Sequence, residues 1–332
     1  YSPNISLWSG VTLSCSKVNY YHSTWMAMVC DIGRDPFMLD KISFWQTGQF
    51  LAAISRLNLF DEKLYSNVAD VLAKDMNLYK DPETLASTLW AMSKSGFIQD
   101  NFVTATLTSA NSMVNSTNNN MNAWSQILWS LTQQGCDPEK DSRMANIVNF
   151  VANLPVPAHR GHFRRLHQAA DVLGENSPMR KYLTHPLSSA TALPPRDNKR
   201  NQIGAQIVKC IAENDILPDR ATDTRMIVSP TCSAILDIAI GLPGSSSAAT
   251  PFGGFILAAG DTDHRQMKMV PASQQGSVSY YGGFGMKVEP HADHKLEHIR
   301  TGQNLTYKRI LERRGLSVSF IGELEWVEAQ EK

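Results

Sequence analysis

The sequence predicts an α-solenoid of helical hairpins followed by a C-terminal α/β domain. Two observations support this prediction: helical segments repeat at offsets of 38 to 39 residues, and near residue 200 the pattern changes to short β-branched runs. With 332 residues, 42% of them hydrophobic, the chain is long enough to form two domains. We expect an N-terminal extension (1–20), a repeat array (21–185), a linker (186–205) and the α/β domain (206–332).

The repeat is clearest between "TLASTLWAMSKSGF" and "NAWSQILWSLTQQGC", which align at an offset of 39 and superimpose Gly96 on Gly135. Apolar residues recur at i, i+4 and i+7, which predicts amphipathic helices, and each glycine stands where a left-handed C-cap is needed. An offset of 38 toward the N-terminus gives "FLAAISRLNLFDE", with Asn58 in the glycine position. An offset of 39 toward the C-terminus gives "HFRRLHQAADVLG", ending at Gly174.

Second helices are predicted between these copies, in "EKLYSNVADVLAKDM", "NFVTATLTSANSMV" and "SRMANIVNFVANL". The earlier segment "STWMAMVCDIGRDPFMLDKISFW" is interpreted as a capping hairpin of irregular length. Two helices per 38 to 39 residues indicate a solenoid, because each hairpin buries its apolar face against its neighbours.

The α/β domain is predicted from a different pattern. "QIGAQIVKCIAEN" is typical of a helix, whereas "TRMIVS" and "SAILDIAI" are β-branched and typical of strands. The closing stretch predicts a helix over 304–314 and a strand over 316–321, separated by a glycine.

This closing stretch, "TGQNLTYKRILERRGLSVSFIGELEW", resembles the end of the RAP domain. RAP domains have a threonine and a Lys-Arg pair on a helix, which are here Thr301 and Lys308 with Arg309. A glycine ends that helix and a strand follows, here Gly315 and 316–321. The family pattern closes on a Glu-Trp pair, here Glu325 with Trp326. "SAILDIAIGLP" is similar to the family's earlier strand, with its aspartate at Asp237. The helical array resembles the octotricopeptide-type and FAST-kinase-like repeats that precede RAP domains in mitochondrial and chloroplast RNA factors.

The resemblance implies a restriction-endonuclease-like fold and organellar RNA binding. We expect a non-catalytic RNA-binding protein of the mitochondrial matrix, with the chloroplast as the alternative organelle. Its role is expected to be structural, in a mitochondrial ribosome, or in the processing and stability of rRNA or mRNA. The expected partners are RNA, rRNA first, and other proteins of a ribonucleoprotein assembly. Two alternatives stay open: a scaffold that binds a protein in the solenoid groove, and a divalent-metal RNA endonuclease.

The endonuclease alternative needs two acidic residues and a lysine around a metal ion. Asp237 is one candidate ligand, but the matching positions of the next strand hold Leu257 and Ala259. The sequence therefore predicts no catalytic residue, no cofactor and no metal.

A Gly- and Ser-rich stretch, 244–294, is interpreted as an insertion into the RAP pattern and as a partner-contacting arm. Its "DTDH" and "HADH" motifs contain residue types that bind metals: Asp261, Asp263, His264, His291, Asp293 and His294. We interpret them as solvated loop residues, because neither motif lies on a predicted helix with i, i+4 spacing.

Charge restricts where RNA could bind. Lys and Arg total 31, as do Asp and Glu, so any nucleic-acid surface must be local. Two basic clusters are the candidates, the first with Arg160, Arg164, Arg165, Lys199 and Arg200, and the second with Lys308, Arg309, Arg313 and Arg314. For the second cluster the alternative is a solvated helix surface, balanced by Glu312. No apolar run reaches the roughly 20 residues of a transmembrane helix, so no membrane span is expected.

Overall fold

A computed structural model describes residues 5–18, 20, 25, 29–30, 33–35, 39, 43–57, 59–74, 81–114, 119–186, 198–217, 219–227, 234–244, 251–258, 265–268, 297–300, 302–322, 326 and 329–330. The described chain is mostly helical, with a small mixed sheet in its C-terminal part. None of the described helices combines the length and the apolarity needed to cross a membrane. The predicted capping hairpin and Asn58 lie largely or wholly outside these residues.

The helical part begins with α1 (Ile5–Lys17) and continues as hairpins. The first helix of each hairpin is α2 (Phe44–Arg56), α4 (Pro82–Ser95), α6 (Met121–Gln133) or α8 (Arg160–Leu173). The second helices are α3 (Glu62–Lys74), α5 (Asp100–Met113) and α7 (Ser142–Asn153), and a short 3₁₀ turn, Pro178–Tyr182, follows α8. The first helices begin at 44, 82, 121 and 160, which confirms the predicted spacing of 38 to 39 residues.

Each first helix begins at an N-cap whose side chain accepts a backbone hydrogen bond. The caps are Ser43, Asp81, Asn120 and His159, which recur at the same spacing as the helices. An N-cap side chain satisfies one of the amide groups that the first turn leaves unpaired, and so fixes where the helix starts. The sequence thus sets the start of each repeat locally.

The helices pack in two layers. In one layer α2 packs against α4, α4 against α6 and α6 against α8; in the other α3 packs against α5 and α5 against α7. The extension contributes α1, which packs against α2. Equivalent serines link successive units: Ser55 donates to the carbonyl of Ala91 (3.3 Å) and Ser93 to that of Ser130 (3.0 Å).

One continuous apolar core runs between the two layers. Trp124 is fully buried, and its ring meets that of Phe150 edge-on, with centroids 4.7 Å apart. Full burial of a side chain of Leu or Phe size contributes roughly 1.5–3 kcal/mol, so this core dominates the stability of the array.

The predicted glycine caps are confirmed in the two central units. Gly96 has φ 72° and Gly135 has φ 80°, and in both units the next amide donates back across the last turn, from Phe97 to Met92 (3.2 Å) and from Cys136 to Leu131 (3.1 Å). This is the Schellman arrangement. Gly174 differs, because its φ of 85° is combined with a ψ of 175°.

The C-terminal part contains α9 (Asn198–Glu213), β2 (Thr222–Ile227), β3 (Ile235–Gly241), β4 (Pro251–Ala258), α10 (Gly302–Arg313) and β7 (Ser317–Gly322). The strands form a sheet in the order β2-β3-β4-β7, antiparallel except for the parallel pair β4-β7. The predicted helix and strands of this part are confirmed, although α9 begins at Asn198, inside the predicted linker.

Each face of this sheet is covered by a helix. Ile203 and Ile207 of α9 pack with Ile238 and Leu257 of the sheet. On the opposite face, apolar side chains of α10, including Tyr307, pack against the other set of strand residues. α10 also packs against the first helices α4, α6 and α8, so it lies between the sheet and the helical array.

The predicted insertion 244–294 needs correction, because it contains β4, which is a central strand of the sheet. The residues between β4 and α10 instead include β5 (Arg265–Lys268) and β6 (Glu297–Arg300). Together with β1 (Leu59–Phe60), which follows α2, they form a second sheet in the order β1-β5-β6. The C-terminal part therefore also contacts the first repeat. The "DTDH" and "HADH" motifs lie outside the described residues.

Candidate nucleic-acid interface

Three arginines of the first basic cluster lie in the N-terminal half of α8. His159 caps this helix by accepting the Gly161 amide at Nδ1 (3.2 Å), and its ring lies 4.6 Å from that of His162. Arg160 is exposed at the first helical position. Burial lowers the pKa of His162, and the nearby His159 and Arg165 lower it further. Arg160 thus lies at the positive end of the helix, where anions bind favourably.

Arg164 and Arg165 are half-buried and oriented by contacts within the chain. Arg164 donates to the hydroxyl of Tyr307 on α10 (3.0 Å), and Arg165 donates to Oδ1 of Asn122 on α6 (3.1 Å). Burial lowers the pKa of Arg165, although an arginine stays protonated in proteins. Because a guanidinium has five N–H donors, one such contact fixes its direction and leaves donors for a phosphate.

Two arginines of the second cluster cap helices of the array. Arg309 donates to the carbonyl of Gln133 (2.5 Å), the last residue of α6, and Arg313 donates to the carbonyl of Val172, in the last turn of α8. Carbonyls at a helix C-terminus lack partners within the helix and carry the negative end of its dipole, so a guanidinium there is stabilising. Both arginines are nevertheless exposed to solvent.

Arg314 makes a partly buried ion pair between the array and the α/β part. Its guanidinium lies 2.8 Å from Oδ1 of Asp171 on α8, and the two side chains are 25% and 4% exposed. Next to this pair, Val172 packs against the apolar cluster on the α10 side of the sheet. Because the carboxylate is almost fully buried, salt screens this ion pair less than it screens an exposed pair.

The surroundings of Lys308 fit the alternative interpretation of the second cluster, a solvated helix surface balanced by Glu312. Its Nζ lies 3.6 Å from Oε1 of Glu312 and 5.6 Å from the centroid of the Phe320 ring, and the side chain is 35% exposed. An i, i+4 pair of this kind contributes only a few tenths of a kcal/mol, so it holds Lys308 weakly.

The remaining predicted residues lie elsewhere. Lys199 and Arg200 lie in the first turn of α9, and their side chains are outside the described part. Gly315 ends α10 with φ 83°, and the amide of Leu316 donates to the carbonyl of Leu311 (3.2 Å), as in the array. Trp326 packs against the apolar cluster beneath α9 and donates to Gln206 (3.4 Å).

Asp237 has a structural contact in the sheet. It is 6% exposed, and its Oδ2 accepts the amide of Leu257 at 2.8 Å. The ladder between β3 and β4 pairs Ile238 with Phe255, so the carboxylate bonds an amide of β4 where that backbone pairing ends. Within the described residues, His, Cys, Asp and Glu form no cluster of three that could hold a metal ion.

The structure packs α10 against α8, so it brings together the two helices that carry most of the predicted basic residues, which sequence reasoning had treated as separate sites. It also adds Asp171, Tyr307 and the C-terminal carbonyls of α6 and α8, none of which was predicted. A signal was present in the repeat alignment: Asp171 occupies the column of Ser93 and Thr132. An acidic residue replaces a hydroxyl where the array meets α10 instead of another repeat.

The sequence matches no known protein-family model. It also has no significant similarity to curated proteins. Function is therefore inferred from the residues of this chain.

Proposed function

We propose that this chain is a non-catalytic RNA-binding protein of an organelle. The observation that carries this proposal is that α10, with Arg309 and Arg313 exposed on it, packs against α8, the helix that carries Arg160, Arg164 and Arg165. Phosphate contacts and counterion release provide most of the affinity for RNA, so a chain without net charge must concentrate its arginines. Contacts to the backbone of folded RNA are favoured over base stacking, because Phe163, the phenylalanine among the arginines of α8, is fully buried.

The proposal includes an α-solenoid for the array and a RAP domain of restriction-endonuclease-like fold for the C-terminal part. Two layers of helices with recurring N-caps and serine contacts support the solenoid. A mixed sheet with a helix on each face supports an α/β domain, and residues 301–326 carry the RAP resemblance.

From that resemblance we infer a mitochondrial matrix protein, with the chloroplast as the alternative. Its role is that of a structural component of a mitochondrial ribosome, or of a factor in the processing and stability of rRNA or mRNA. Other proteins of the same ribonucleoprotein assembly are then its further partners.

The two alternative functions have less support. A protein scaffold would use the groove beside the first helices, but α10 already packs against α4, α6 and α8. An endonuclease would use Asp237, whose carboxylate is buried and bonded to the amide of Leu257.

The direct test is filter binding of labelled ribosomal RNA to the full chain and to the variant Arg160→Glu. Loss of a phosphate contact reduces the slope of log K against log salt concentration by about 1, and charge reversal adds repulsion, so we expect about tenfold weaker binding. Lys140→Glu is the matched control, since Lys140 is highly exposed in the turn between α6 and α7 and pairs there with Asp137 at 3.4 Å. Equal affinities of the wild type and of Arg160→Glu would contradict the proposal.

The class of RNA is tested by ultraviolet crosslinking in a native extract, followed by sequencing of the attached RNA. A few fixed positions in ribosomal RNA support the ribosomal role, and dispersed messenger positions support a transcript factor. Absence of RNA would favour the protein-scaffold alternative.

A further inference from the structure

Besides the contact of Arg313 with the carbonyl of Val172, two contacts between side chains link α8 to α10 and to Arg314, the residue that follows α10. Arg314 pairs with Asp171 (2.8 Å), and Arg164 donates to Tyr307 (3.0 Å). Asp171 and Tyr307 are 5% and 0% exposed, so both contacts are anchored on buried groups.

The ion pair links the two elements that carry the basic residues. Asp171 lies roughly two to three turns beyond Arg160, Arg164 and Arg165 on α8, whereas Arg314 directly follows the turn of α10 that carries Arg309 and Arg313. A shift at Asp171 therefore changes the position of one set of arginines relative to the other.

We propose that the Asp171–Arg314 pair is the positioning contact that holds the basic residues of α8 and those of α10 at a fixed separation for binding one RNA. This inference rests on the proposed function. Neither residue needs to touch RNA, because Asp171 is buried and its charge would repel phosphate. The pair acts by fixing the distance between two sets of guanidinium groups.

The physical reason is that phosphates along an RNA backbone are regularly spaced. Two rigidly held sets of arginines bind neighbouring phosphates in a single event, whereas two loosely joined sets bind as tethered ligands and pay for ordering at each binding event. Removal of the charge of Asp171 leaves Arg314 as a partly buried cation without its carboxylate, and α10 is expected to shift. Fewer phosphates are then neutralised at once, so binding weakens and the salt slope decreases.

The experiment compares the full chain with Asp171→Asn, Arg314→Asp, Asp171→Arg and the double variant Asp171→Arg/Arg314→Asp, using filter binding of ribosomal RNA over a range of salt concentrations. Asp171→Asn keeps the size of the side chain, so it remains informative if the charge reversals do not fold, which circular dichroism reports. We expect Asp171→Asn to weaken binding by about tenfold and to reduce the salt slope by about 1 or more. The double variant should restore the affinity to within about threefold of the wild type if it folds.

Asp141→Asn is the matched control. Asp141 also pairs with an arginine, Arg143 (2.6 Å), but this pair lies on α7 away from the junction, and Asn keeps the N-cap acceptor. It should leave both affinity and slope unchanged.

A wild-type chain that does not bind ribosomal RNA overturns the proposed function itself. A wild-type chain that binds, with Asp171→Asn giving the same affinity and slope, overturns the positioning role alone. The positioning role is also overturned if the single charge reversals lose RNA affinity and a folded double variant does not regain it.

Discussion

Replacement of His167 by Leu should stabilise the protein. His167 is fully buried in α8, its ring is stacked near that of Phe163, and neither ring nitrogen has a hydrogen-bond partner in the part of the chain that the structure describes. The equivalent positions of the two preceding units hold Leu89 and Leu128, both fully buried. The array therefore accepts Leu at this point of the repeat.

The magnitude follows from desolvation and from proton linkage. A buried polar group without a partner costs about 1–3 kcal/mol, so His167→Leu should raise the free energy of unfolding by ~1–2 kcal/mol at about pH 8, where the imidazole is neutral in both states. Burial lowers the pKa of His167 in the folded state; Arg314 lowers it further, and Asp171 partly opposes the shift. The unfolded chain therefore takes up the proton first, at a pKa of about 6.5.

The sign of the pH effect is then fixed. Wild-type stability is fully present above the unfolded pKa and decreases as the pH falls below about 6.5, by at most about 1.4 kcal/mol per pH unit for one proton. His167→Leu lacks this group, so its advantage over the wild type should increase between about pH 7 and about pH 5.

Urea denaturation followed by circular dichroism measures these differences. Leu128→His is the reverse control: it introduces a buried imidazole at the equivalent position, and it should destabilise the array by about 2–4 kcal/mol and make stability more dependent on pH. If His167→Leu is less stable than the wild type at about pH 8, or if its advantage does not change down to about pH 5, the assignment of a buried, unpaired imidazole is wrong.

Two further changes test the helix caps and the sheet by thermal denaturation. Gly96→Ala should lower the free energy of unfolding by about 1 kcal/mol, because the φ of 72° strains any L side chain. Gly10→Ala, in the exposed middle of α1 with open space around the new Cβ, should raise it by roughly 0.5–1 kcal/mol. Equal effects of the two substitutions would contradict the left-handed cap. Asp237→Ala should cost about 1–3 kcal/mol because it leaves the buried amide of Leu257 unpaired, and Asp237→Asn, which keeps an acceptor, should cost less. An unchanged melting temperature in Asp237→Ala would exclude this structural role.

Most of the array could be predicted from the sequence because its signals are local. The position of each first helix follows from apolar residues at helical spacing, from caps such as Asp81 and Asn120, and from Gly96 and Gly135 at the ends. The closing helix and strand were predicted within about two residues for the same reason, since Gly315 separates a helical period from a β-branched run. Each of these signals acts over a few residues.

The extent of the insertion and the partners of α10 could not be predicted, because they depend on contacts distant in sequence. Gly253 and Gly254 belong to the Gly- and Ser-rich stretch that was predicted to be an insertion, and that stretch contains β4. In the sheet, however, a Cβ on Gly253 would lie 2.2 Å from the carbonyl oxygen of Ser317, so the glycine allows close strand pairing. Pairs such as Arg309 with Gln133 join residues 176 positions apart, and no periodicity reports them.

The paired basic residues of the closing helix therefore have a role that charge counting alone does not give. Arg309 and Arg313 are four residues apart, so they lie on one face of α10, and they bond to the C-terminal ends of two successive first helices. Arg314 forms an ion pair with Asp171, and Lys308 forms one with Glu312. The helix is basic in part because it docks against carbonyl oxygens and a buried carboxylate. The donors of Arg309 and Arg313 that these contacts leave over are held in fixed directions, and ordered guanidinium groups lose less entropy when they bind phosphate. Docking of α10 on the array and binding of RNA should thus be coupled, because full affinity for RNA requires that α10 is docked.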